Sequence, residues 1–181
     1  MKRSSIIVGL VLLVLLLDQA LKIYIKTHFE YGEEHRWANW AMLKFVENEG
    51  MAFGLTLGGI YGKMALSIFR LVAVGLLAFY VKRLLETRAP MGFILCISLI
   101  LAGALGNILD SMFYGLIFSE TAYHGGVAHF VPFGQGYDQF LFGKVVDMLH
   151  FPMFTFQLPE GFPLWGGTEF TFFSFIFNIA D

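Results

Sequence analysis

Three apolar runs, each long enough to cross a bilayer, decide what this chain can fold into. They cover residues 6–25, 61–81 and 91 to about 118. A bilayer core accepts roughly 20 apolar residues as a helix, and inside it every backbone N–H and C=O must be satisfied within the protein. The chain is 57% hydrophobic and only 14% charged, whereas soluble domains run at about 45–50% and about 25%. A soluble core of this size has no room for the excess. The expected class is therefore an all-α polytopic membrane protein with a small extramembrane β element. The length allows one domain, 1–181.

The first run imitates a secretion signal, with Lys2 and Arg3 ahead of an apolar stretch. No small-residue cleavage box follows, because the chain continues Asp18-Gln19-Ala20-Leu21-Lys22, so it reads as a retained helix. A fourth apolar run begins near 170 and stops at Asp181. A dozen residues make only about 18 Å of helix. The sequence thus predicts a four-helix transmembrane bundle with an apparently truncated fourth helix. Its helices are expected at about 5–26, 61–82, 91–118 and from 170 to 181 onward. Between them, 27–60 mixes charges with Trp37, Trp40 and Phe45, and its 42–57 part carries strand-like pieces that suggest a small sheet or ribbon. The stretch 119–169 is rich in Gly, Phe, Tyr and Pro without a strong period, and reads as a loop region that partly dips into the interface.

Clustered positive charge sets the expected orientation. Lys2/Arg3 and the basic residues of 82–88 lie on either side of two helices, and both belong in the cytoplasm by the positive-inside rule. The regions 27–60 and 119–169 then face outward. A net charge of −2 with no basic block excludes nucleic acid as a partner. The single cysteine, Cys96, forms no intrachain disulfide. Oligomeric state is not legible.

Ionisable groups inside spans are costly and mark function by default. Asp18 and Lys22 interrupt the first run, Asp110 the third, Asp147 follows the long external region and Asp181 ends the chain. Counted along their helices, all four carboxylates can meet near the outer leaflet. Asp18 and Lys22 are four apart and share a helix face. They form either a self-neutralising pair, or a polar anchor for a lipid headgroup or the wall of a site. Asn107-Ile-Leu-Asp110 and Asn178-Ile-Ala-Asp181 repeat one spacing, which lets each amide orient the carboxylate beside it. Two close carboxylates share a proton, so one serves as base toward water while the other is acid. Other hydrolytic chemistries are poorly supplied: there is no His-Glu-x-x-His and no Gly-x-Ser-x-Gly. His28, His35, His124, His129 and His150 are scattered without metal-ligand spacing.

These segments, taken in order, resemble the lipoprotein signal peptidases (signal peptidase II, peptidase family A8). The matching pieces are Asp18-Gln19 with Lys22, Asn48-Glu49-Gly50-Met51-Ala52-Phe53, Gly103–Asp110, Val145–Phe151 and Phe177–Asp181. The resemblance implies a multi-pass enzyme of the bacterial cytoplasmic (inner) membrane, its N-terminus cytoplasmic and its site near the outer leaflet. It implies an aspartic endopeptidase that removes signal peptides from diacylglyceryl-modified prolipoproteins, cutting before the lipidated cysteine. Asp147 and Asp181 would be the catalytic dyad. Asn48, Gly50, Asn107, Asp110 and Asn178 would shape the site and hold substrate, with Asp18 and Lys22 as polar support. Membrane lipids are its surroundings, and no metal or organic cofactor is implied.

The chain departs from the family pattern in three places. Ser111 stands where an arginine is usual, which leaves Lys144 or Lys22 as the substitute cation. The stretches between Asp110 and Asp147 and between Asp147 and Asp181 are long, and the glycine-rich 119–142 part reads as a lid or collar. The chain stops at Asp181, where relatives continue. Two other readings compete: an inactive or truncated relative, and a carboxylate-based transporter or proton-conducting subunit. The Leu101-Ala102-Gly103 stretch imitates a lipobox, but Ala104 follows where cysteine is needed, so it reads as small-residue packing.

Overall fold

A computed structural model describes residues 2–49, 59–123, 125–163 and 165–181. Gly50 and the rest of its motif lie outside the described residues, as does His124. Three helices form where the apolar runs lie: α1 (Arg3–His28), α2 (Gly59–Glu86) and α3 (Met91–Ile117). Each is long and apolar enough to cross a membrane. At 1.5 Å per residue, the 27 residues of α3 reach about 40 Å, a bilayer with its headgroups. α3 packs against both α1 and α2. The turn between α2 and α3 closes with the Ala89 N–H on the Leu84 carbonyl (3.0 Å) and Arg88 at φ 53°, a left-handed helix ending. Arg3 donates to the Ala89 carbonyl at 3.1 Å, so the basic N-terminus and the basic 82–88 turn share one end of the bundle.

The other end carries a four-stranded antiparallel sheet in the order β1-β2-β3-β6. Its strands are β1 (Glu34–Ala38), β2 (Ala41–Asn48), β3 (Val145–His150) and β6 (Ile176–Phe177). A separate hairpin pairs β4 (Phe154–Gln157) with β5 (Glu169–Phe172). The central strand β3 is buried from Val145 through Met148 on both faces. It therefore shows no alternation, which is why sequence pattern left it inside a loop.

The expected start of a fourth helix near 170 is corrected here. Among the described residues, 169–181 forms β5, β6 and a terminal turn, and no helix starts near 170. The stretch Phe170-Thr171-Phe172-Phe173-Ser174-Phe175-Ile176-Phe177 is aromatic and β-branched, which suits a pleated surface. β6 satisfies its backbone on β3, in the register Leu149↔Phe177 and His150↔Ile176. Phe173, at φ 61°, turns the chain between β5 and β6.

The stretch after Phe118, expected as a lid or collar, is fastened to the end of α3. The N–H groups of Val131, Gly134, Asp138 and Gly143 donate to the carbonyls of Ile117, Leu116, Gly115 and Ser111, at 2.9–3.0 Å. A helix end leaves its last four carbonyls without intrahelical partners, and this segment supplies partners for those of Gly115, Leu116 and Ile117.

Two apolar clusters make the core. One, at the sheet end, joins Ile25, Phe29, Phe45, Tyr114, Phe118, Val146 and Met148. The other, at the basic end, joins Ile7, Val81, Leu84, Ile94 and Leu101. Along α1 and α3, the buried polar residues Asp18, Lys22 and Asp110 fall between these clusters.

Candidate active site

Asp18, Lys22 and Asp110 have no solvent exposure at all. Lys22 Nζ lies 2.9 Å from Asp18 Oδ2 and 2.9 Å from Asp110 Oδ2, and donates to Asn107 Oδ1 at 2.9 Å. One ammonium thus spends its three protons on two helices. Gln19 closes the ring by donating to Asp110 Oδ1 (2.8 Å) and Asp18 Oδ2 (3.1 Å), while its own oxygen accepts from the Tyr114 hydroxyl (3.2 Å). Buried charges persist only when paired and hydrogen-bonded, and each partner here is both.

This layer orients the terminal segment. Asp18 Oδ1 accepts the Ala180 N–H at 3.1 Å, so Asp18 does more than neutralise Lys22. The segment fits because α3 carries glycines there. A Cβ on Gly106 would lie 2.7 Å from Asp18 Oδ2 and 2.8 Å from the Ala180 Cβ, and one on Gly103 would strike the Ala180 carbonyl. Gly103 and Gly106 are thus the bed of the terminal turn.

The two aspartates of the expected dyad, one on β3 and one at the end of the chain, meet through Asn178. Its Nδ2 donates to Asp147 Oδ1 (2.7 Å) and to Asn107 Oδ1 (3.1 Å), and its backbone N–H donates to Asp181 Oδ2 (3.2 Å). Asn107 Nδ2 donates to Asp181 Oδ1 at 2.7 Å. Lys22 can only donate, so it fixes Asn107 with its oxygen toward α1 and its amide protons toward Asp181. Asn48, at the end of β2, donates to Asp147 Oδ2 at 3.3 Å. All the expected site residues that lie within the described set, Asn48, Asn107, Asp110, Asp147, Asn178, Asp181, Asp18 and Lys22, therefore fall in one connected network. Asp147 and Asn178 are buried, while Asp181 is exposed. Burial, and after it the neighbouring Asp181 carboxylate, push Asp147 up to about 6 against the downward pull of the Asn178 and Asn48 hydrogen bonds.

Sequence reasoning missed one cation. Arg70 of α2 donates to Ser111 Oγ at 3.4 Å, and its charge is attracted by Asp181, Asp110 and Asp147. The guanidinium reaches the site from a different helix. Of the two residues considered as substitutes, Lys22 is engaged by Asp18, Asp110 and Asn107, and Lys144 lies 3.7 Å from Glu47 Oε2. The signal was present, since an arginine in the middle of an apolar run obeys the same rule that singled out Asp18 and Asp110. Gln19 and Tyr114 were also unassigned. Tyr114 stands one turn beyond Asp110, on its face.

The arrangement defines a class: a polytopic membrane protein whose carboxylates, held by amides and two cations, sit against a three-helix scaffold beside a small sheet. Comparison with known proteins narrows it. The family model for signal peptidase (SPase) II matches residues 10–181. The chain is 44% identical over 180 residues to a lipoprotein signal peptidase of Porphyromonas gingivalis, covering 99% of this chain and 77% of that protein. It is 34% identical over 177 residues to one of Amoebophilus asiaticus, covering 96% of this chain and 70% of that one. A Burkholderia ambifaria lipoprotein signal peptidase is 33% identical over 139 residues, covering 76% of this chain and 82% of its own. Two solved structures, both described as bacterial membrane enzymes determined by the in meso method, share the fold. They superpose with TM-scores of 0.56 and 0.54 at 21% identity, over 97% of this chain and 78% and 83% of theirs. The chain belongs to the signal peptidase II family, and so to the integral membrane proteases of bacterial lipoprotein processing.

Proposed function

We propose that this protein removes the signal peptide of diacylglyceryl-modified prolipoproteins by aspartic catalysis, with Asp147 and Asp181 as the dyad. The observation that carries the reading is Asn178, which holds one carboxylate by its side chain and the other by its main chain. An acid and a base set side by side are what general acid–base hydrolysis by a water needs. Burial gives Asp147 the stronger hold on a proton, so Asp181 is the base. In the forward step Asp181 takes a proton from a water whose oxygen attacks the scissile carbonyl, and Asp147 gives its proton to the carbonyl oxygen. Collapse of the tetrahedral diol returns a proton to Asp147, and the departing amine of the lipidated cysteine takes the one held by Asp181. No covalent enzyme intermediate forms.

Asn107 and Asn178 hold the dyad, Asn48 supports Asp147, and the Asp18–Lys22–Asp110 layer fixes the floor on which the terminal turn rests. Gly50 is proposed to approach the substrate backbone. Arg70 supplies the positive charge facing the dyad that Ser111 cannot. The basic end is proposed to face the cytoplasm and the sheet end the outside. A lipid-anchored substrate then presents its scissile bond at the depth of the carboxylates.

The test is cleavage of a diacylglyceryl-modified prolipoprotein by the full chain in liposomes, set against Asp147→Asn and Asp181→Asn. Both variants are expected to insert and fold but not to cleave. Cleavage surviving in either folded variant removes that residue from the dyad.

A further inference from the structure

The β4–β5 hairpin has a face that nothing in the described chain covers. Its register pairs Phe154 with Phe172 and Phe156 with Phe170, and between them Thr155 with Thr171 and Gln157 with Glu169. Side chains alternate across a strand, so the four phenylalanines share one face and the polar residues the other. The phenylalanines stack on one another, Phe154 on Phe172 at 5.1 Å and 10° and Phe156 against Phe170 at 5.3 Å. Each is nevertheless between 42 and 56% exposed. The opposite face is polar and largely exposed, and carries the Thr155–Thr171 hydroxyl contact at 3.0 Å. An isolated two-stranded hairpin is at best marginal in water, and this one offers an uncovered aromatic sheet.

The position of its root indicates what covers it. Asn178 is bonded to Asn107, ten residues before the last residue of α3, so it sits about 15 Å below that helix end. Phe172 is six residues from Asn178, a reach of at most about 21 Å when fully extended. Measured along the backbone, the hairpin root therefore stands roughly 6 Å beyond the helix end at full extension, and nearer to it with the turn at Phe173. The helix spans core and headgroups together, so this level is the lipid interface. Aromatic contacts continue the band into the sheet, from Phe173 to Phe177 (5.9 Å), Phe177 to Phe151 (5.5 Å) and Phe151 to Trp40 (6.4 Å). Aromatic rings are the side chains that collect at this depth.

We propose that the hairpin is an interfacial anchor, its phenylalanine face laid into the lipid of the leaflet at the sheet end and its threonine face turned to water. The anchor holds β5, and through Phe173 and β6 it sets the depth of the segment carrying Asn178 and Asp181. Its partner is the bilayer itself, continuous with the lipid around the three helices. The inference rests on the fold and the membrane spans and is independent of the chemistry assigned to Asp147 and Asp181.

The experiment places one tryptophan at a time. In a background with Trp37, Trp40 and Trp165 changed to Phe, the variants Phe156→Trp and Phe170→Trp report the aromatic face and Thr155→Trp the other. The protein is reconstituted in phosphatidylcholine vesicles with acyl chains brominated or not, and acrylamide is added from the water side. A tryptophan replacing Phe79, exposed on the apolar surface of α2, is the lipid-contact control. The tryptophans at 156 and 170 are expected to lose most of their fluorescence to bromolipid, as the control does, and little to acrylamide. Thr155→Trp is expected to show the reverse. Strong acrylamide quenching at 156 and 170 overturns the proposal, because the face is then in water. Protection from both quenchers also overturns it, because protein then covers the face; dilution with excess lipid separates a second copy, which is released, from a segment of the same chain, which is not.

Discussion

Asn178 gives the most discriminating test, because one amide connects both carboxylates. Asn178→Ala removes the 2.7 Å bond to Asp147, the 3.1 Å bond to Asn107 and the acceptor of the Ala180 N–H at 2.9 Å, and leaves the backbone N–H on Asp181. When Asp147 is ionised, the bond from Asn178 contributes about 1.5–3 kcal/mol. It favours the charged carboxylate, so its loss strengthens the hold of Asp147 on a proton roughly ten- to a hundredfold. Asp147 already stands at about 6, chiefly through burial. If it must be protonated to act, kcat/KM falls as pH rises through that value. The variant's falling limb is then displaced to higher pH by about one to two pH units, at a lower maximum. The assay is cleavage of a lipidated prolipoprotein in liposomes from about pH 4 to about 9, read as apparent values of the pair. A falling limb that stays in place while the maximum drops would show that Asn178 acts only by holding the turn. A limb that rises through the same region and moves upward would reverse the acid and base assignments.

Lys22→Met leaves Asp18 and Asp110 buried without their common cation and is expected to destabilise the fold by about 3–5 kcal/mol. Adding Asp110→Asn should recover part of that loss in detergent unfolding assays, and no recovery would separate Asp110 from the Lys22 network. Gly106→Ala forces Asp18 and Ala180 aside and should cost about 1–3 kcal/mol while slowing cleavage. A variant with unchanged cleavage would show that the terminal turn does not rest on α3. Arg70→Ala is expected to lower kcat/KM by about ten- to a hundredfold, and Arg70→Lys to recover it only in part because an ammonium lacks the planar fork. Equal activity of the lysine variant and wild type would reduce the role of Arg70 to its charge.

The sequence by itself determined the membrane class and most of the polar cast. Runs of twenty apolar residues have one use, and a carboxylate inside such a run is too costly to be idle, so Asp18 and Asp110 stood out without any structure. The repeated Asn-x-x-Asp spacing marked Asn107 and Asn178 for the same reason, since helical or turn geometry brings residues three apart together. Tertiary structure decided the rest. Whether the aromatic, β-branched tail formed helix or strand depended on the free edge of β3, which local sequence does not contain. β3 was hidden because a strand buried on both faces has no period. Asn178 reaches back to Asp147, 31 positions earlier in the chain, while its backbone holds Asp181, and Arg70 enters from α2 to stand beside Ser111. Contacts of that kind arise only when separate elements pack. Spacing along the chain fixes what one element presents, and packing fixes what it meets.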